Sequence, residues 1–180
     1  MPPRRPSRPP GPSAAATPAG PVLVSALGGE GDGVVRLPDG GVLHVAGALP
    51  GEWVRLRAGP EGPVLDTVLE ASPLRRDPPC PHFGACGGCA LQHWDEDAAL
   101  AWKVERLRAT LAMERLETEI LPVVRTAPGG RRRAALHARR GASRSEARIG
   151  FKARRSWSLV DIDSCAVLNP AIARALPILT

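Results

Sequence analysis

The chain concentrates its cysteines in one short segment, residues 80–93, which reads CPHFGACGGCALQH. Cys80, Cys86 and Cys89 occur there in the pattern C-x5-C-x2-C, and the fourth cysteine of the chain, Cys165, follows far downstream. Four thiolates are the ligand set of either a tetrahedral zinc ion or a 4Fe–4S cluster. Structural zinc sites usually combine two short cysteine pairs, whereas three local ligands and one distant ligand favour the cluster. Zinc stays open as the alternative, as do unliganded or disulfide-bonded cysteines.

Residues 1–21 are rich in proline and arginine and contain no apolar run long enough for the core of a signal peptide. We expect them to form a disordered tail. No later stretch reaches the roughly 18 apolar residues that a membrane span requires. The sequence therefore predicts a cytoplasmic monomer with no membrane partner, in a compartment where clustered cysteines more often bind metal than form disulfides.

Residues 22–72 have the pattern of a small five-stranded β-barrel. Short runs with alternating apolar residues are separated by Gly, Pro and Asp, as in such barrels. The glycines of GGEGDGV, residues 28–34, are followed by a strand pattern and not by a helix, so we predict a hairpin turn there instead of a phosphate-binding loop. The five runs are VLVSAL, GVVRL, VLHVAG, EWVRLRAG and PVLDTVLEA.

The pattern changes after the cysteine segment. Residues 95–116 predict an amphipathic packing helix with Asp95 as its N-cap, and the apolar face combines Leu100, Val104, Leu107 and Leu111. Three strands of a meander should follow, within residues 131–140, 146–155 and 156–163. The predicted fold class is therefore α+β: an oligonucleotide-binding-type barrel, a cysteine connector over residues 73–94, and a helix with a small β-meander over residues 95–180.

Positive charge is concentrated in residues 131–155, which contain ten Arg or Lys and one acid, Glu146. This segment therefore has a charge of +9 and the rest of the chain a charge of −3, which together give the net charge of +6. Paired strands would gather these side chains into a surface suited to RNA phosphates, although a solvated basic face without a ligand is the alternative. The predicted RNA contacts are Arg131, Arg132, Arg133, Arg139, Arg140, Arg148, Lys152, Arg154 and Arg155.

Several of these features occur together in a known family. The cysteine segment, a following helix with Lys103, the pair Gly150–Phe151, and DIDSCAVLNP at residues 161–170 resemble the RNA (uracil-C5) methyltransferases, which make 5-methyluridine in 23S ribosomal RNA or transfer RNA. Residues 29–54 are similar to the TRAM domain of that family, a five-stranded barrel of the oligonucleotide-binding type. The resemblance implies that one 4Fe–4S cluster joins the connector to the distant strand unit, held by Cys80, Cys86, Cys89 and Cys165.

The family continues into a doubly wound, Rossmann-type domain that binds S-adenosylmethionine and carries a nucleophilic cysteine and a base. These 180 residues contain neither a G-x-G-x-x-G loop nor a cysteine outside the cluster set. We therefore expect the RNA-binding, cluster-bearing N-terminal half of a methyltransferase, as a fragment or a truncated gene product. It should have no catalytic residue and no activity alone, and only the full-length enzyme should need S-adenosylmethionine. The alternative is a free-standing RNA-binding adaptor with a structural metal. We interpret the four histidines as structural: His44, His82, His93 and His137.

Overall fold

A computed structural model of the chain describes residues 16–60, 62–140 and 148–179. The chain divides after Pro73 into two compact units, each with its own core. Most of the predicted N-terminal tail lies outside the described residues, as do Arg144 and Glu146 of the basic segment. No helix among the residues that the structure describes is long and apolar enough to cross a membrane.

The first unit is a five-stranded antiparallel sheet, and all five predicted strands are confirmed. The sheet order is β3-β2-β1-β4-β5, so β1 lies at its centre and β3 and β5 form its edges. The strands are β1 (Val22–Leu27), β2 (Gly33–Arg36), β3 (Val42–Val45), β4 (Trp53–Gly59) and β5 (Gly62–Glu70).

One face of this sheet closes over a single hydrophobic core. Val24, Val35 and Val54 are almost fully buried, as the alternation of apolar residues along their strands predicts. Leu43 of edge strand β3 belongs to the same cluster, and Leu65 of edge strand β5 packs against it. The sheet therefore curves until its two edges share one core, which is the packing that a small barrel needs.

The glycine-rich segment between β1 and β2 is a hairpin turn, as predicted. The Gly28 amide donates to the Asp32 carbonyl at 2.8 Å, and Gly31 adopts a left-handed φ of 80°. Glycine reaches this conformation without the steric cost that a side chain would add. These glycines are therefore explained by the turn.

A buried carboxylate closes the end of the first unit. Glu52 is fully buried. Its Oε2 accepts a hydrogen bond from the Leu49 amide at 2.8 Å, and its Oε1 accepts one from the Ser72 amide at 3.2 Å. A buried carboxylate is stable only when such donors replace water, so Glu52 ties the loop before β4 to the chain that leaves β5.

The second unit contains two helices and a three-stranded antiparallel sheet in the order β6-β7-β8. The predicted meander is confirmed, but its strands are shorter than the patterns that predicted them. The helix over residues 170–179 was not predicted. The elements are α1 (Glu96–Met113), β6 (His137–Arg139), β7 (Arg148–Lys152), β8 (Leu159–Asp161) and α2 (Pro170–Leu179).

Helix α1 begins where the sequence predicts, and its predicted packing face is only partly buried. Asp95 is the N-cap, and its side chain accepts a hydrogen bond from the Ala98 amide at 3.3 Å. Only Ala99 of α1 is buried, and Leu107 is 47% exposed. The reason is that the core of this unit forms elsewhere, around Ile162 and Leu168 with the start of α2. The predicted packing face is therefore partly buried, since Leu100, Val104 and Leu111 are half-buried and Leu107 is exposed.

Candidate metal centre

The four cysteines line one cavity in the second unit. They come from two segments distant in sequence, residues 80–89 and the loop between β8 and α2, and all four are free, partly buried thiols. The same cavity is lined by His82, Phe83, Gly88, Gln92, Arg131, Phe151 and Val167.

Residues 80–89 form a series of tight turns around this cavity. The Phe83 amide donates to the Cys80 carbonyl at 3.1 Å, and the Cys86 amide donates to the His82 carbonyl at 2.9 Å. The Gly88 amide lies 3.4 Å from the Cys86 sulfur. An amide directed at a cysteine sulfur is a common outer-shell contact in metal–thiolate sites, because it stabilises negative charge on sulfur.

Strand β7 holds the cysteine turns through its backbone. The Gly87 amide donates to the Lys152 carbonyl at 2.9 Å, and Cys86 forms an isolated antiparallel bridge with Ala153. A Cβ atom on Gly87 would lie 2.9 Å from the Lys152 oxygen and 3.0 Å from the Arg154 nitrogen. Glycine is therefore required at residue 87 because the two backbones approach too closely for any side chain.

A second backbone contact brings Cys165 to the cavity. The segment after β8 runs beside residues 129–131, where the Arg131 amide donates to the Val167 carbonyl at 3.1 Å and the Asn169 amide donates to the Arg131 carbonyl at 2.9 Å. Residue 131 therefore pairs with the segment that follows Cys165. This pairing also gives Arg131 a place in the cavity wall.

One side-chain contact joins the two cysteine-bearing segments directly. His82 Nε2 lies 2.9 Å from Asp163 Oδ1. The hydrogen bond from His82 lowers the pKa of the Asp163 carboxyl, and a second hydrogen bond from Ser164 acts in the same direction. The contact links the turn after Cys80 to the residues just before Cys165.

The surroundings of the Cys89 thiol shift its pKa in opposite directions. Burial raises the pKa of the Cys89 thiol, and the neighbouring Cys165 and Cys86 contribute to the same rise. A hydrogen bond with Gln92 and the charge of Arg131 counter it. No group of three or more His, Cys, Asp or Glu side chains that could hold a metal ion occurs within residues 16–60, 62–140 and 148–179.

The predicted RNA contacts fall into different environments. Arg148 forms an ion pair with Asp161, with its Nε 2.7 Å and 3.0 Å from the two carboxylate oxygens, and this pairing raises the pKa of the Arg148 guanidinium. Lys152 lies over the ring of Trp157, with Nζ 3.5 Å from the ring centroid. The remaining residues of the set are exposed in or beside β6 or lie in the turn after β7: Arg132, Arg133, Arg139, Arg140, Arg154 and Arg155.

The histidines also differ in their surroundings. His93 is buried, and its ring centroid lies 5.1 Å from that of Phe83. His44 in β3 and His137 in β6 are exposed. His82 lines the cavity of the four cysteines, here called the cysteine centre. Its place between Cys80 and Cys86 could have indicated this role. The contact of Lys152 with Trp157 was not predicted, because its sequence signal is only an isolated aromatic residue beside basic residues.

Comparison with known proteins identifies relatives over most of the chain, although no protein-family model matches it. An uncharacterized RNA methyltransferase of Caulobacter vibrioides is 50% identical over 159 residues, which are 88% of this chain. A 23S rRNA (uracil(1939)-C(5))-methyltransferase, RlmD, of Halomonas elongata is 40% identical over 164 residues, or 86% of this chain.

By sequence, the chain is a homologue of proteins named RNA methyltransferases. The family predicted from the cysteine motif is therefore confirmed. A further relative, an uncharacterized RNA methyltransferase of Brucella suis, is 38% identical over 157 residues. The chain spans about a third of the length of these relatives, namely 38%, 33% and 37% of the Caulobacter, Halomonas and Brucella proteins.

Proposed function

We propose that this chain is the RNA-binding and cluster-bearing part of an S-adenosylmethionine-dependent enzyme that methylates C5 of uridine in ribosomal or transfer RNA. Its first unit is a TRAM-type barrel of the oligonucleotide-binding class. Its second unit holds a 4Fe–4S cluster and contacts structured RNA. The chain acts as a monomer in the cytoplasm. The four cluster ligands are Cys80, Cys86, Cys89 and Cys165.

The observation that carries the proposal is the convergence of four thiols, from two distant segments, on one cavity. Four cysteine thiolates are the ligand set of a 4Fe–4S cluster, and three local ligands with one distant ligand favour the cluster over zinc. The Gly88 amide beside the Cys86 sulfur is the kind of donor that cluster sites use. The donor set therefore fits the cluster.

When bound, the cluster would supply four metal–thiolate bonds, and we assign it a structural role. Metal–thiolate bonds add free energy to folding because the ligands are not organised in the unfolded chain. The residues of the chain do the remaining work. His82 and Asp163 orient the two ligand segments, and the Gly87 amide fixes the cysteine turns to β7.

We assign no catalytic residue to these 180 residues. The enzyme class needs a thiolate that attacks C6 of uridine and a base that removes the C5 proton. All four cysteines of the chain line the cavity, so each has a role as a ligand. The methyl donor and the nucleophile belong, in this proposal, to the remaining length of the enzyme.

Anaerobic purification tests the cluster. We expect a brown protein with about four iron atoms per chain, as a 4Fe–4S cluster demands. Cys165→Ser should lower the iron content and bleach the visible absorption, while the secondary structure of the first unit stays intact. A colourless protein with one tightly held zinc would contradict the proposal.

The salt dependence of RNA binding tests whether RNA is the partner and whether the predicted arginines contact it. Each released counterion contributes about −0.9 to the slope of log K against log salt on duplex nucleic acid and about −0.7 on single strands. Replacing four exposed arginines by glutamine should therefore flatten that slope by up to about three units. Salt-independent binding, unaffected by the replacement, would refute the proposed contacts. The four are Arg132, Arg133, Arg139 and Arg140.

A further inference from the structure

The turn between β7 and β8, residues 153–158, combines an exposed indole with several positive charges. Resting on the RNA-binding function proposed above, we propose that this turn is a stacking site for one unpaired base of RNA. Trp157 is the platform for the base, and Arg154 and Arg155 bind the flanking phosphates.

Trp157 is unusually exposed for a side chain of its size. It is 70% exposed, whereas Trp94 and Trp102 of the same unit pack on each other with ring centroids 6.5 Å apart. Lys152 Nζ, 3.5 Å from the Trp157 ring centroid, covers part of the ring by a cation–π contact. The contact limits the orientations of the indole and leaves most of its surface in solvent. An oriented, accessible aromatic ring is what a nucleobase needs for stacking.

The turn is held in one conformation by its own hydrogen bonds. The Ala153 amide donates to the Ser158 carbonyl at 2.9 Å, and the Ser156 amide donates to the Ala153 carbonyl at 3.2 Å. The Ser158 amide also donates to the Ser156 hydroxyl oxygen at 3.0 Å. Because the backbone is already ordered, binding a base would cost little conformational entropy in the turn.

Arg155 occupies a backbone conformation that favours glycine. Its φ is 52°, in the left-handed region, and it is exposed. Non-glycine residues are uncommon there, and such residues concentrate at functional sites. A glycine would fit the turn with less strain, so Arg155→Gly removes the guanidinium without disturbing the backbone of the turn.

The chemistry of the turn favours RNA over an acidic protein partner. Residues 152–158 read KARRSWS and contain three positive charges and no acid. An acidic peptide would use the charges but would leave the indole without a planar partner. Bases in a duplex already stack on one another, so the platform selects an unpaired base in a loop, a bulge or a single strand.

The test compares two RNAs with equal numbers of phosphates, one with an unpaired loop and one fully paired. Base–aromatic stacking changes affinity by roughly ten-fold per base. We therefore expect Trp157→Ala to bind the looped RNA about ten-fold more weakly and the duplex with unchanged affinity. Trp157→Phe should retain most of the loop affinity, because a smaller aromatic ring still stacks.

Arg155→Gly separates binding from stability. We expect this variant to melt no lower than the parent chain, because glycine relieves the left-handed strain, and to bind looped RNA several-fold more weakly with a smaller salt slope. Arg115→Gly is the matched control. Arg115 is also exposed, with a φ of 56°, but lies after α1, outside the basic segment. It should leave RNA affinity unchanged.

The outcomes distinguish this proposal from the function on which it rests. If the chain binds neither RNA, the RNA-binding function itself fails. If it binds looped RNA and Trp157→Ala binds equally well, the stacking site is refuted and the broader function stands. If polyglutamate binds as tightly as looped RNA and with the same dependence on Trp157, the turn is a site for acidic protein and the proposal is overturned.

Discussion

Replacing Gly87 by alanine tests whether β7 braces the cysteine turns. The added Cβ would lie 2.9 Å from the Lys152 oxygen, 3.0 Å from the Arg154 nitrogen and 3.1 Å from the Ala153 carbonyl carbon. All three are backbone atoms, which cannot move aside as the end of a flexible side chain can. The two segments must therefore separate.

The size of the effect follows from these distances. Ordinary contact begins at 3.4 Å, so the backbones must move apart by about 0.5 Å in a densely packed region. The hydrogen bond from the Gly87 amide to the Lys152 carbonyl, now 2.9 Å, would then weaken or break. Overpacking costs about 1–3 kcal/mol, and a lost hydrogen bond costs about 1 kcal/mol. Allowing for the reduced freedom of the unfolded chain, we expect a net loss of about 2 kcal/mol.

Thermal unfolding of the second unit and hydrogen exchange of β7 measure this loss. About 2 kcal/mol corresponds to a melting temperature lower by roughly 8 °C for a domain of this size. Gly88→Ala is the matched control, because its Cβ would meet only the Cys86 sulfur, at 3.4 Å. If Gly87→Ala and Gly88→Ala melt together and exchange β7 amides at equal rates, the bracing contact does not exist in solution.

Three further predictions concern other parts of the chain. Cys165→Ala should make the region from residue 131 to the substitution more susceptible to limited proteolysis, because a distant ligand closes a long loop; unchanged cleavage with the metal retained would count against it. Glu52→Gln should lower the unfolding free energy of the first unit by about 1–3 kcal/mol, because an amide cannot accept hydrogen bonds at both of its ends; an unchanged denaturation midpoint would contradict this. Gly150→Ala should prevent native pairing of β7 with β8, because its Cβ would lie 1.9 Å from the Val160 oxygen; a wild-type near-ultraviolet spectrum would exclude that clash.

The first unit was predictable because its signals are local. Alternation of apolar residues defines a strand, and the glycines of the hairpin define the turn between two strands, so all five strands could be placed from sequence. Asp95 was predictable for the same reason, since an N-cap depends only on the few residues that follow it. The role of Glu52 was not predictable, because its two donors come from residues 49 and 72 and meet only after the sheet has curved.

In the second unit, long-range pairing overrides local pattern. Residues 131–136 have strand character, but residue 131 pairs with the segment after Cys165 and not with β7. The apolar residues of α1 recur with the period of a helix, as the pattern predicts. The buried core of this unit, however, is formed by the segment from β8 to α2. The sequence analysis assigned Arg148 to the RNA contacts, whereas the pairing of β7 with β8 places it in an ion pair with Asp161.

The cysteine centre and the basic segments share one backbone frame. Cys86 pairs with Ala153, the first residue of the turn that carries Arg154 and Arg155, and the chain beyond Cys165 pairs with Arg131. Each ligand segment is therefore hydrogen-bonded to a segment with arginines, and metal–thiolate bonds that fix the cysteines would also fix those arginines. In the function proposed here, the cluster needs no redox chemistry to matter for RNA. Its contribution is to keep two basic segments, distant in sequence, in one arrangement before RNA binds, so that less ordering is left to occur on binding.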